Sequence, residues 1–160
     1  MKKDHSNMHD MTEDHYGKLW IMALLSFVSM YILMYSMVNS LGNVFNNVNQ
    51  FYMAGLMTAP MVPMEIFLMR SMYKDQKRNL LIVVVCILAG LLFFFLIRQQ
   101  GAVTDKQFLR SMIPHHAGAV LMCEQASIQD TEIQELCQTI ISSQQEEIDQ
   151  MKAKLQELDQ

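Results

Sequence analysis

The most informative stretch of this chain is Phe108-Leu-Arg-Ser-Met-Ile-Pro-His-His-Ala-Gly-Ala-Val-Leu-Met122. It places His115 and His116 between Met112 and Met122. In a helix, side chains three, four and seven residues apart lie near one face, so imidazole and thioether groups are predicted to converge there. Thioethers suit soft monovalent ions such as Cu(I), and imidazole accepts several transition metals. The stretch predicts a metal site rather than simple packing, because two adjacent buried imidazoles would need two sets of hydrogen-bond partners.

Two capping signals indicate that this stretch belongs to a helical hairpin over residues 104–158. Thr104 with Gln107 predicts a helix that runs to about residue 127, and Thr131 with Gln134 predicts a second helix to about residue 158. The second helix is amphipathic, because its apolar residues recur at helical spacing. They are Ile133, Leu136, Ile140, Ile141, Ile148, Met151, Leu155 and Leu158.

An antiparallel pairing about a turn near Asp130 predicts which residues face each other across the hairpin. Cys123 then lies opposite Cys137, and Met112 lies opposite Glu147 or Ile148. Glu147 and Met151 are therefore candidate ligands from the second helix. The alternatives, a solvated acid and a core methionine, stay open at this point.

Three apolar stretches precede the hairpin and predict membrane-spanning helices. The stretches 19–38 and 80–97 carry no charged residue and are long enough to cross a bilayer. The stretch 51–70 is interrupted by two prolines and Glu65, which a spanning helix tolerates when neighbouring groups satisfy the freed carbonyls. We therefore expect an all-α, multi-pass protein with a membrane region over 19–98.

The flanking cations predict the orientation of these spans. The N-terminal segment and the loop after the second span hold seven Lys and Arg residues, against three in the flank that follows the third span. The positive-inside rule places the N-terminus in the cytoplasm and the hairpin outside it. The tail 1–18 contains several His and Met residues, which is typical either of a weak metal contact or of a solvated polar segment.

Composition excludes several classes of function. Sixteen of 160 residues are methionine, 51% are hydrophobic and 18% are charged. After residue 100, ten acidic side chains stand against four basic ones, so nucleic acid is not an expected partner. We find no catalytic motif and expect no enzymatic activity, no catalytic residue and no organic cofactor.

Methionine rows in the spans are consistent with lipid-facing packing or with a thioether-lined path.

The spacing of these residues resembles a known family. Two runs carry this resemblance, first Phe108-x3-Met112-Ile-x-His115-His116-x2-Ala119-Val120-x-Met122 and then Ile141-x2-Gln144-x2-Glu147-Ile148-x2-Met151. Through them the chain resembles the bacterial double-histidine domain-of-unknown-function (DUF) family of the ferritin-like superfamily. That family includes periplasmic copper-binding proteins of the CopM type. The resemblance covers residues 104–157 and implies a metal-binding helical bundle, here in a membrane-anchored member. Cys123 and Cys137 depart from it, and small core residues, a disulfide or extra thiolate ligands remain open for them.

The sequence therefore predicts a membrane-anchored protein that binds Cu(I), or Ag(I), for metal homeostasis or resistance. The predicted ligands are His115, His116, Met112, Met122, Met151 and Glu147. The alternative is a methionine-lined transporter or channel with the hairpin as its loading platform, and a third reading is a purely structural assembly module. A two-helix hairpin is half of a four-helix bundle, so we expect a homodimer or a larger homo-oligomer. The resemblance and the charge pattern imply the bacterial inner membrane, with the hairpin in the periplasm.

Overall fold

The protein is all-helical over the part of the chain that the computed structural model describes. This part comprises the backbone of residues 4–160 and the side chains of residues 15–160, so most side chains of the predicted tail lie outside it. The prediction of an all-α fold is confirmed for these residues. The helices are α1 (Asp4–Leu33), α2 (Val48–Thr58), α3 (Met61–Leu68), α4 (Gln76–Gln99), α5 (Asp105–Gln125) and α6 (Thr131–Leu158), with short 3₁₀ turns at Met34–Met37 and Leu41–Asn43.

Three stretches are long and apolar enough to cross a membrane, as the sequence predicts. They are His15–Met37, Val48–Leu68 and Gln76–Gln99. The middle stretch consists of α2 and α3 and is interrupted at Pro60, which has no backbone N–H to donate to the preceding turn. The three predicted spans thus agree with the structure in length and composition.

The chain divides into two compact units. The first contains the chain up to Ile32 together with Phe51–Gly101. In its core, the hydroxyl of Tyr16 donates a 2.6 Å hydrogen bond to the side-chain oxygen of Asn79, which joins α1 to the start of α4. The second unit contains Leu33–Gln50 together with Ala102–Gln160. The loop between the first two spans therefore belongs with the hairpin, whereas the sequence assigned it to the membrane region 19–98.

The second unit is built around an apolar seam between α5 and α6, the hairpin core. Val38 and Phe45 of the first loop pack against this core. The same loop touches α5, since the backbone N–H of Val48 donates to the side-chain oxygen of Gln107 at 3.0 Å. The hairpin core comprises Ile113, Ala117, Val120, Ile148 and Leu155.

The helix caps agree with the sequence at α5 and differ at α6. The hydroxyl of Thr104 accepts from the backbone N–H of Gln107, as predicted, although the Gln107 side chain turns to Val48 instead of completing a capping box. At α6, the carboxylate of Asp130 accepts from the backbone N–H groups of Glu132 and Ile133. The prediction that Thr131 caps α6 is wrong, because a carboxylate is a stronger acceptor beside the positive end of a helix dipole.

Candidate metal centre

His116 occupies the centre of the α5–α6 contact. Its side chain is 9% exposed and contacts α6. The Nδ1 atom lies 3.0 Å from the backbone oxygen of Met112, one helical turn earlier. The Nε2 atom lies 2.7 Å from Oε2 of Glu147 on α6. A buried imidazole is thus held between a carbonyl of its own helix and a carboxylate of the neighbouring one.

These two contacts determine which ring nitrogen can hold a proton and which can bind a metal. Both nitrogens face oxygen atoms that only accept hydrogen bonds, and a neutral imidazole carries a single N–H. One arrangement that satisfies both contacts is a doubly protonated ring. In a second arrangement, Nδ1–H donates to Met112, which leaves the lone pair of Nε2 available for a metal. Because Nε2 and Oε2 of Glu147 are 2.7 Å apart, the carboxylate would have to move aside to admit an ion. The second arrangement corresponds to the way in which proteins orient metal-binding histidines through the nitrogen that does not bind the metal.

Two methionines flank this pair along the two helices. Met112 precedes His116 by four residues, and Met151 follows Glu147 by four, so each sulfur-bearing side chain shares a helix face with one member of the pair. Met151 is partly buried against the hairpin core. The Glu147 side chain is 53% exposed, which leaves one side of the pair open to solvent.

The available donors fit a soft ion better than a hard one. Among the residues that the structure describes, no group of three or more His, Cys, Asp or Glu side chains is close enough to hold a metal. Met112 and Met151, which share helix faces with His116 and Glu147, are the candidate thioether donors for a metal at this pair. Sulfur donors select Cu(I) over ions such as Mg²⁺ or Ca²⁺, which prefer oxygen.

The other two predicted ligands lie outside this contact. His115 is exposed, and its ring centroid is 6.0 Å from that of His116. Met122 is 55% exposed. Consecutive residues on an α-helix point in directions about 100° apart, at 3.6 residues per turn, so only one of two adjacent histidines can face α6. The structure brings together His116, Glu147 and the carbonyl of Met112.

A disulfide closes the hairpin near its turn. The sulfurs of Cys123 and Cys137 are bonded to each other, and their Cα atoms are 5.2 Å apart. The predicted pairing of these residues is therefore confirmed, and of the three alternatives for the cysteines the structure shows the disulfide. The disulfide near the turn and the solvent-exposed Lys106–Asp159 ion pair at the open end both join α5 to α6 in the same register that aligns His116 with Glu147.

The sequence reading missed the contribution of the first loop. The backbone oxygen of Met37 lies against Gly118 of α5, at 3.4 Å from the position that a Cβ atom would take there. The amide of Asn49 also hydrogen-bonds the hydroxyl of Ser111. The available signal was composition, since residues 39–50 carry no charge and include five asparagines, which is unusual for a loop in contact only with water.

The comparisons with known proteins place this hairpin in a family. The family described as "Domain of unknown function (DUF305)" matches residues 95–155, a region that begins in α4 and covers α5 and most of α6. An uncharacterized protein, L153, of Acanthamoeba polyphaga mimivirus is 36% identical over 140 residues, which is 86% of this chain and 90% of that protein. No solved structure matches. The chain belongs to the DUF305 family, whose domain is of the ferritin-like type.

The His116–Glu147 contact should stabilise the hairpin measurably. We predict that Glu147→Ala lowers the free energy of unfolding of the hairpin by about 1 kcal/mol, because the buried Nε2 atom loses its partner. Glu146→Ala is the matched control, since this adjacent acid is exposed and its loss should change stability by less than about 0.5 kcal/mol. Denaturant unfolding followed by circular dichroism measures both variants. Equal effects of the two substitutions would contradict a stabilising role for the contact.

Proposed function

We propose that this chain is a membrane-anchored protein that binds Cu(I), or Ag(I), and buffers the ion or hands it over. The observation that carries the proposal is the orientation of His116, whose Nδ1 atom is held by a carbonyl while Nε2 faces the Glu147 carboxylate. The resemblance to copper-binding proteins of the CopM type supports the same ion. Met112 and Met151 supply the soft donors that distinguish such a site from an ordinary buried ion pair.

The exposure of the site suits a protein that exchanges its metal. His116 is buried, which fixes one ligand in place, whereas Glu147 is half exposed and can move with an entering or leaving ion. Exposed His115 and Met122 offer a first contact on the surface of the same helix. The hairpin would thus combine one rigid ligand with several mobile ones.

The proposal is tested by comparing the two adjacent histidines. Cu(I) titration of the full-length chain in detergent, in competition with a chromophoric chelator, should show at least a tenfold loss of affinity for His116→Ala, because a lost metal–nitrogen bond exceeds about 1.4 kcal/mol. His115→Ala should lose less, since that side chain is exposed. Wild-type protein that binds no Cu(I) would refute the proposed function. Equal losses in the two variants would refute the assignment of His116.

The full-length chain is the right material for this test. An isolated hairpin would lack Val38 and Phe45, which cover the hairpin core, and the contacts of the first loop with Gln107. Loss of binding by the isolated fragment could therefore reflect loss of structure and not loss of ligands.

Metal affinity should fall with pH if an imidazole is a ligand. Protons compete with a metal for the ring nitrogen, and imidazole in water has a pKa of about 6.5, so affinity should weaken as the pH falls from about 7 to 5. Thioether ligands do not titrate in this range. The same chelator competition, repeated across this range, should give a flat profile for His116→Ala. A flat profile for the wild type would remove histidine from the coordination shell.

We propose a multi-pass membrane location with the hairpin on the extracytoplasmic side. The contact between Val48 of the first loop and Gln107 of the hairpin supports placing both segments on the same side of a bilayer, which is the side that the charge pattern predicts. The bacterial inner membrane stays a prediction from the resemblance, since the matching relative is viral.

We also propose that the hairpin pairs with a second copy. Leu136 is 56% exposed, and Ile133, one helical turn earlier, and Met122 of α5 are exposed as well. Such an apolar surface would be buried by another hairpin in a four-helix bundle, which is the arrangement that ferritin-like proteins use.

Leu136→Asp tests this pairing without disturbing the hairpin core. Because Leu136 is exposed within one chain, the variant should keep its helix content but dissociate into monomers, since a carboxylate in an apolar interface is costly. The mass of the detergent-solubilised chain, measured by light scattering, reports the change. Gln138→Asp, at an exposed polar position, is the control and should leave the mass unchanged. A wild-type chain that is monomeric with and without copper would disprove the pairing.

The rival function, a methionine-lined transporter, has one observation in its favour. A cavity of about 570 Å³ lies between α2–α3 and α4 in the first unit, and its lining includes Met64 and Cys86 among mostly apolar side chains. A thioether and a thiol could bind Cu(I) there. Copper flux into liposomes that contain the full-length chain would favour this function, provided that Met64→Leu reduces the flux. Binding without flux would favour the first proposal.

A further inference from the structure

The two cysteines of the hairpin face each other beside a surface cavity. Cys123 and Cys137 are 14 residues apart in sequence, and their Cα atoms are 5.2 Å apart. A cavity of about 480 Å³ adjoins the pair and is lined by both cysteines together with Glu135 and Gln138. We propose that this pair is a second soft-metal site, in which the reduced cysteines hold one Cu(I) or Ag(I) ion as two thiolates.

The geometry favours an ion that accepts two ligands. When the S–S bond opens, small side-chain rotations separate the sulfurs and leave room for a cation between them, with entry from the cavity. In the described part of the chain, no third His, Cys, Asp or Glu completes a site there. Zn²⁺ takes four ligands in its structural sites, whereas Cu(I) and Ag(I) form stable complexes with two thiolates. The site is therefore selective for the soft monovalent ions.

Loading of the site requires reduction of the disulfide. A dithiol reductant transfers two electrons and two protons to the S–S bond, which yields two Cys thiols, while the reductant closes its own disulfide. One Cu(I) ion then displaces the two thiol protons and binds both thiolates. Oxidised, the pair is a covalent link between α5 and α6. Reduced, it is a metal site, and a bound ion shields both sulfurs from reoxidation.

This second site is separate from the one at His116. Cys123 follows His116 by seven residues, which corresponds to about 10 Å along the helix. The inference goes beyond the proposed function and does not depend on it, because the thiolates alone supply the ligands. A substitution at His116 therefore tests the proposed function without affecting this second site.

The test compares oxidised and reduced full-length protein in detergent. The chain is reduced anaerobically with dithiothreitol, desalted and titrated with Cu(I) against a chromophoric chelator. The reduced form should bind about one equivalent more than the oxidised form, and Zn²⁺ should show no such increment. The increment should be absent from the Cys123→Ser/Cys137→Ser variant. It should persist in His116→Ala, even if that variant shows that the proposed function is wrong.

Two controls keep this test decisive. Cys86→Ser removes the free, buried cysteine of the first unit and should retain the increment. Loading with Ag(I) should protect Cys123 and Cys137 from alkylation by iodoacetamide, as mapped by mass spectrometry, at unchanged helix content. The inference is overturned if reduced and oxidised proteins bind equal amounts, if the increment survives in the double-serine variant or if it disappears in Cys86→Ser.

Discussion

The second unit depends on the burial of one apolar seam between α5 and α6. Ile113 and Ile148 are fully buried at its centre, and removing such side chains from water is the main favourable term in bringing two helices together. Because each helix can rotate or slide only by exposing these residues, the seam fixes both the facing surfaces and the register. The positions of His116 opposite Glu147 and of Cys123 opposite Cys137 follow from that register. Both candidate metal sites are thus consequences of this packing.

Much of this arrangement could be predicted from sequence because it depends on helical periodicity. The pairing of the cysteines follows from the turn near Asp130. The same register places Gln144 and Gln145 opposite the histidines and Glu147 opposite Met112, whereas the structure pairs Glu147 with His116. The contacts that the sequence did not predict are of two kinds. Some require a choice between two similar residues, and others join residues that are far apart in the chain. Asp130 and Thr131 are both good N-cap residues. The sequence alone does not show which of the two has the backbone geometry of a cap, and in the structure it is Asp130. The packing of Val38 and Phe45 against the hairpin joins residues that are far apart in sequence, which no local pattern records.

The two adjacent histidines show why a motif alone does not define a site. Their spacing to Met112 and Met122 suggests one cluster, yet neighbouring residues on a helix diverge by about 100°, at 3.6 residues per turn. The structure accordingly buries His116 and exposes His115. The first unit shows the same limit, since the predicted row Met53, Met57, Met61 and Met64 is not uniform: Met61 is partly buried, whereas the other three are exposed, and Met64 also borders the cavity described above. That placement is typical of methionines that contact lipid or another chain, and it favours packing over a path through the unit.

The first loop also contributes to the rigidity of the hairpin. If α5 contacted only α6, it would be free to tilt, because two helices of this length cannot enclose a core by themselves. The first loop removes part of that freedom by contacting α5 at Gln107, Ser111 and Gly118. On α6, by contrast, the Glu147 side chain is half exposed. The helix that holds the buried imidazole is therefore contacted on two sides, while the carboxylate that completes the pair is half exposed. An ion bound between them would meet one ligand that is already in place and another that can follow it in and out.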